Sequence, residues 1–159
     1  VDMTVTDEEV RYVNSYLSEI NHLLGVDPYD QMIESAGEYH FSGKQALAYS
    51  RIRYIGTDFG RTERQRKVIS AILARAKQEP LSFVKALPMV FSSIETDISD
   101  TEFGLLGMAS PAVFFMQVRT DRVPMAGLWW NELTESGQEV LGIDFEAQTK
   151  ALREMIYGE

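Results

Sequence analysis

A chain of 159 residues with 45% hydrophobic and 11% aromatic content carries apolar material for one core, and the lack of cysteine excludes disulfides, thiolate metal sites and a cysteine nucleophile. Its formal net charge of −9 argues against a general polyanion binder. Residues 103–118 form the longest uncharged stretch, but Gly104, Gly107 and Pro111 break it and it falls short of the roughly 18 apolar residues that a membrane span needs.

The opening VDMTVTDEEV shows neither a basic nor an apolar leader segment, so the chain reads as a fragment of a longer protein. Thr6 and Glu9 form a capping box, and Val10, Val13, Leu17, Ile20 and Leu24 follow at helical spacing up to Gly25. The stretch VDPYDQM is turn-like. Ser42 and Gln45 form a second capping box, opening a short helix to about Ala48. Residues 49–55 (YSRIRYI) have strand composition, and period two would place Arg51 and Arg53 on one face. Gly56 to Gly60 reads as a loop. Thr62 with Gln65 opens a helix to about Gln78, and Leu81 to Phe91 is helical despite Pro88. Ser99 with Glu102 caps a helix through Met108 that Pro111 stops. Ala112 to Val118 and Ala126 to Trp130 read as strands separated by a turn containing Asp121 and Pro124. Asp144 caps a last helix with Phe145, Gln148, Leu152 and Ile156 on its buried face. No repeat, linker or low-complexity tract marks a boundary, so residues 1–159 are expected to belong to a single domain.

Charge is uneven along this order. Between Lys44 and Gln78 nine basic residues stand against only Asp58 and Glu63, while the rest of the chain is strongly acidic. Such a segment is either a solvated helix face or a local anion site, arginine being suited to forked contacts with phosphate. At about 100° per residue, with Arg61 at zero, Val68 falls at about −20°, Ile72 at about 20°, Gln65 at about 40°, Ala76 at about 60° and Ile69 at about 80°. Arg61 and Gln65 are thus expected to continue an apolar stripe, where a guanidinium requires a polar partner. A bound phosphate would be one. The first helical turn offers free N–H groups, and Arg51 and Arg53 arrive from the preceding segment. Asp58 either orients an arginine, acts as a base, or serves as a structural salt-bridge partner.

Other chemistry is poorly supported. GEYHFSGKQ fails as a phosphate-binding P-loop because Glu38 stands where glycine is needed and Gln45 where serine or threonine is needed. His22 and His40 lack partners at metal-ligand spacing. The methionines and the Trp129–Trp130 pair read as core.

The string FSGKQALAYSRIRYIGTDFGRTERQRKVISAILARA combines G-x-x-A-L-x-Y-x-R-x-R with D-[FY]-G-R-x-x-R-Q and resembles the signature region of the LytR-CpsA-Psr family. VDM, ETDIS and VLGIDFEAQTKALREMI also stand in that family's order. The resemblance implies an α/β fold with a mixed central sheet flanked by helices, part of which would come from an N-terminal portion absent from this chain. It implies transfer of an anionic glycopolymer from a polyprenyl pyrophosphate carrier to peptidoglycan, outside the cytoplasmic membrane, in a protein whose anchor is likewise absent. Arg51, Arg53, Asp58 and Arg61 match catalytic positions of the family. Gln65 also matches its motif, and Arg64, Val68 and Ile72 are expected to help bind substrate. Ile69, Phe83, Val84 and Leu87 would extend a lipid wall that core packing explains equally well. The resemblance further implies a magnesium ion held mainly by residues of the N-terminal portion, so that the fragment alone would turn over poorly. Two other classes remain: a nucleic-acid-binding regulator, which the acidic body and the lack of helix-turn-helix spacing disfavour, and a non-catalytic polyprenyl-phosphate-binding module. No nucleic-acid partner is expected.

Overall fold

A computed structural model describes residues 1–56, 58–91, 93, 95–99, 101–102, 118 and 120–158. The chain is a mixed α/β protein that divides into two compact units, Val1–Met116 and Gln117–Glu159. The sequence reading placed no boundary there.

In the first unit, β1 (Asp2–Val5) pairs antiparallel with β2 (Gly37–His40), Met3 opposite Tyr39 and Val5 opposite Gly37. Neither strand is foreseen from the sequence, because four residues are too few for alternation to stand out. Between them α1 (Asp7–Leu23) begins at the expected capping box, and Val13, Leu17 and Ile20 form its buried stripe. Asn14 then clasps the returning chain, donating to the Ile33 carbonyl at 2.7 Å and accepting from its N–H at 2.8 Å. The core of this unit joins Met3, Val5, Val13, Leu17, Phe41, Tyr49 and Ile52 among others.

α2 (Gly43–Ser50) starts at Ser42, whose side chain accepts from Gln45 N. It ends at Ser50, two residues into the segment expected to be extended, and Arg51 is its C-cap. Tertiary packing outweighs β-propensity here: Tyr49 and Ile52, three apart, are both fully buried, with Tyr49 edge-on to Phe41 at 6.0 Å. Arg51 and Arg53 therefore sit at a helix end and in the following irregular linker, not on one face of a strand.

α3 (Asp58–Gln78) starts a turn earlier than expected, so the Gly56–Gly60 loop is shortened and Thr62 lies inside the helix. Its buried face also differs. Arg64, Val68 and Ala76 are buried, whereas Gln65, Ile69 and Ile72 are exposed. The inner face is turned toward Arg64 because that guanidinium has strong partners inside. Its Nη2 donates to the carbonyls of Ile52 (3.1 Å) and Ile55 (2.8 Å), and Nη1 lies 3.8 Å from the Glu9 carboxylate. α4 (Pro80–Phe91) uses Pro80 as its first residue, where a missing N–H costs nothing, and accommodates Pro88.

Ser99 and Glu102 make the expected reciprocal capping contacts; the rest of that expected helix and nearly all of the expected strand at 112–118 lie outside the described residues. In the second unit, β3 (Trp129–Leu133) begins later than the expected strand and pairs antiparallel with β4 (Glu139–Ile143), an element not foreseen. Trp130 is half exposed and Met89 largely so, contrary to their reading as core. α5 (Phe145–Tyr157) is capped by Asp144, which accepts from Ala147 N at 3.0 Å. Of its expected inner face Gln148 is buried, accepting from Met125 N at 2.8 Å, while Phe145 and Ile156 are exposed.

Candidate functional site

The first unit contains an open cavity of about 540 Å³ at the meeting of α1, α2 and α3. α1 supplies Tyr16, and α2 supplies Leu47 and Ser50. Arg51 and Arg53 enter from the end of α2 and the linker, and Arg61 and Gln65 from the first two turns of α3. Three arginines separated by a helix end and a linker thus face one space. Arg61 and Gln65 reach it because they are four apart and so stack on one helix face.

Arg51 is held by α1. Its guanidinium carbon lies 5.1 Å from the centre of the Tyr16 ring, and Nη2 donates to the Glu19 carboxylate at 3.1 Å. As the C-cap of α2 it also meets the negative end of that helix's dipole, which favours a cation. Arg53 is exposed and Arg61 half-buried. Asp58 is the first residue of α3; its side chain lies outside the described residues.

Arg64 follows the arginines in sequence but not in space. It does not line the cavity; it ties the linker that carries Arg53 to the core. Beneath it, Glu9 accepts from the hydroxyl of Tyr49 at 3.1 Å and from Thr6 N at 3.1 Å. Burial and the adjacent Glu9 carboxylate push the Tyr49 hydroxyl well above its ordinary pKa. Val68 is part of the core, while Ile72 and Phe83 line a second cavity of about 270 Å³ with Val1, Arg75 and Ala76. The expected lipid-wall residues are therefore divided between the core, a separate cavity and the exposed surface.

The cavity's donor set suits an anion with several oxygens. Guanidinium groups offer forked N–H pairs to phosphate, and Gln65 and Ser50 add neutral hydrogen-bonding groups. It does not suit a metal ion: among the described residues no three His, Asp or Glu side chains cluster. Tyr16 and Glu19 escape a sequence reading that follows only the apolar stripe of α1. Their signal is the adjacent stripe of Tyr12, Tyr16 and Glu19 at spacings of four and three, which flanks Val13, Leu17 and Ile20.

Comparison with known proteins places residues 8–155 within the model of the LytR_cpsA_psr family. The polyisoprenyl-teichoic acid–peptidoglycan teichoic acid transferase TagU of Enterococcus faecalis is 27% identical over 159 residues, which is 98% of this chain and 50% of that protein. The corresponding transferase TagV of Bacillus subtilis is 29% identical over 108 residues, covering 64% of this chain and 27% of the relative. Biofilm regulatory protein A of Streptococcus mutans is 39% identical over 66 residues, 39% of this chain and 16% of its own. The chain spans at most about half the length of these relatives.

Proposed function

The chain belongs to the LytR_cpsA_psr family, and from that premise we propose that it is the arginine-bearing part of a cell-envelope transferase that moves an anionic glycopolymer from a polyprenyl pyrophosphate carrier to peptidoglycan. The observation that carries this reading is the convergence of Arg51, Arg53 and Arg61 with Gln65 on one cavity. The names of two relatives, both teichoic acid transferases acting on peptidoglycan, supply the substrate class.

In this reading the acceptor hydroxyl attacks the phosphorus on the polymer side of the diphosphate. A new P–O bond forms, the bond to the bridging oxygen breaks, and polyprenyl phosphate leaves with the electron pair while the hydroxyl loses its proton. The arginines hold the diphosphate and neutralise charge that builds on the leaving phosphate. Asp58 takes the role of orienting Arg61 or receiving the proton. The expected magnesium ion does not fit the donors gathered in this cavity; we propose ligands for it from outside the described residues and route no step through it. The site of action is proposed to be the extracytoplasmic face of the membrane. Among the described residues no helix is long and apolar enough to cross a bilayer.

A nucleic-acid reading would need an outward basic face. Two arginines on α3 that do not line the cavity are instead paired with nearby carboxylates, Arg66 with Glu63 and Arg75 with Glu79. The deciding assay is transfer from a polyprenyl-pyrophosphate glycan to peptidoglycan by the full-length protein. Arg51→Ala or Arg61→Ala should each lower the rate by about a hundredfold or more, the scale of losing one charge-stabilising donor. Undiminished transfer by either variant overturns the proposal.

A further inference from the structure

Arg51 meets α1 in two chemically different ways. The guanidinium carbon lies over the Tyr16 ring, 5.1 Å from its centre, a cation–π contact in which the ring accepts none of the guanidinium's hydrogen bonds through an oxygen. Glu19 instead accepts at the N–H edge, 3.1 Å from Nη2, using a donor that a phosphate would use. The two contacts thus divide the tasks: the ring fixes where Arg51 stands, and the carboxylate competes for its charge. The competition is weak enough to be reversed, because the side chains of Arg51 and Glu19 are 39% and 51% exposed and such pairs contribute little.

We infer that Glu19 is a displaceable counter-ion of the cavity: it neutralises Arg51 when no anion is bound, yields to an incoming phosphate group, and returns to Arg51 as the phosphate leaves. This rests on the reading of the cavity as a phosphate site. Three guanidinium groups around one space favour tight retention of any phosphate species, product included. A carboxylate beside one of them lowers affinity for all such anions and hastens release, by Coulomb repulsion and by re-forming its own pair. Glu19 would then be a positioning and affinity-setting residue, not one that touches the reacting atoms.

The test is calorimetric titration of inorganic pyrophosphate into the wild-type protein, Glu19→Gln, Arg51→Ala and the double variant, with stopped-flow displacement for the off-rate. Glu19→Gln should bind about two- to fivefold more tightly, the scale of one exposed ion pair, and release more slowly. Raised salt should shrink the difference, and it should vanish in the Arg51→Ala background. Glu19→Ala, which removes the acceptor altogether, should change affinity in the same direction. Binding by Glu19→Gln that equals or falls below wild type, or a gain that persists without Arg51, overturns the inference while leaving the phosphate site standing. Wild-type binding that Arg51→Ala does not weaken, or no binding by any of the proteins, overturns the phosphate site and the inference together.

Discussion

Nη1 of Arg64 stands 3.8 Å from Oε1 of Glu9, and the two side chains are only 7% and 9% exposed. This pair joins the start of α1 to the second turn of α3. The same guanidinium holds the carbonyls of Ile52 and Ile55, so the linker between the cavity arginines is fastened from below. Removing one partner of a buried pair leaves the other charge without compensation. Glu9→Ala should cost about 3 kcal/mol of stability by urea denaturation. Pairing Glu9→Leu with Arg64→Met should cost less than the two single changes added together. A Glu9→Ala protein as stable as the wild type would contradict this account.

Tyr49 gives a pH dependence with a definite sign. Burial first, and the neighbouring Glu9 second, raise its pKa above the ordinary value of 10.0. As pH climbs past 10 the unfolded chain loses this proton while the folded one keeps it. The stability associated with the shift is therefore complete below pH 10 and declines above it, by about 1.4 kcal/mol per pH unit. Denaturation curves from pH 9 to 11 should show this decline in the wild type and a shallower one in Tyr49→Phe.

Gly60 occupies a place where alanine is expected to be unfavourable despite its better helix propensity. A Cβ there would lie 2.9 Å from the Ile55 carbonyl oxygen, a backbone atom that also accepts from Arg64. Propensity would favour Gly60→Ala by up to about 1 kcal/mol. Displacing that carbonyl and its bond should outweigh the gain and leave a net loss of about 1 kcal/mol. Thermal melts measure the loss. Pyrophosphate titration should show weaker binding as well, since Arg61 is the next residue and moves with the helix start.

Those parts of the fold that depend on local chemistry are legible in the sequence. Capping boxes at Thr6 and Ser42 and the side-chain cap at Asp144 start helices where expected, because a cap is written in three or four adjacent residues. The residues decided by distant partners are not. YSRIRYI has strand composition, but α2 takes its first two residues and the rest is irregular, since Tyr49 packs on nearby Phe41 and bonds Glu9 from far along the chain. The inner face of α3 is misjudged for the same reason: the stripe read from Arg61 and Gln65 leaves Arg64 out, and its burial follows only from Glu9 and the two linker carbonyls that it meets. Within the cavity, the arginines are visible as a charge run, and Gln65 follows from helical spacing. Tyr16 and Glu19 require the packing of α1 against α2.

All the cavity arginines lie within one short stretch, residues 51–61, but the groups that fix their surroundings come from residues 9–19. The backbone makes a long detour between the two runs, and β1, ahead of the first, pairs with β2, ahead of the second, with Val1 N donating to the Phe41 carbonyl at 2.8 Å. Loop closure over some 40 residues must be paid in chain entropy before either Glu9 or Glu19 reaches its arginine. An isolated peptide covering α2 and α3 would therefore carry the family signature without the built cavity. The arginine clamp is thus a non-local feature of the chain, complete only where α1 packs on α2.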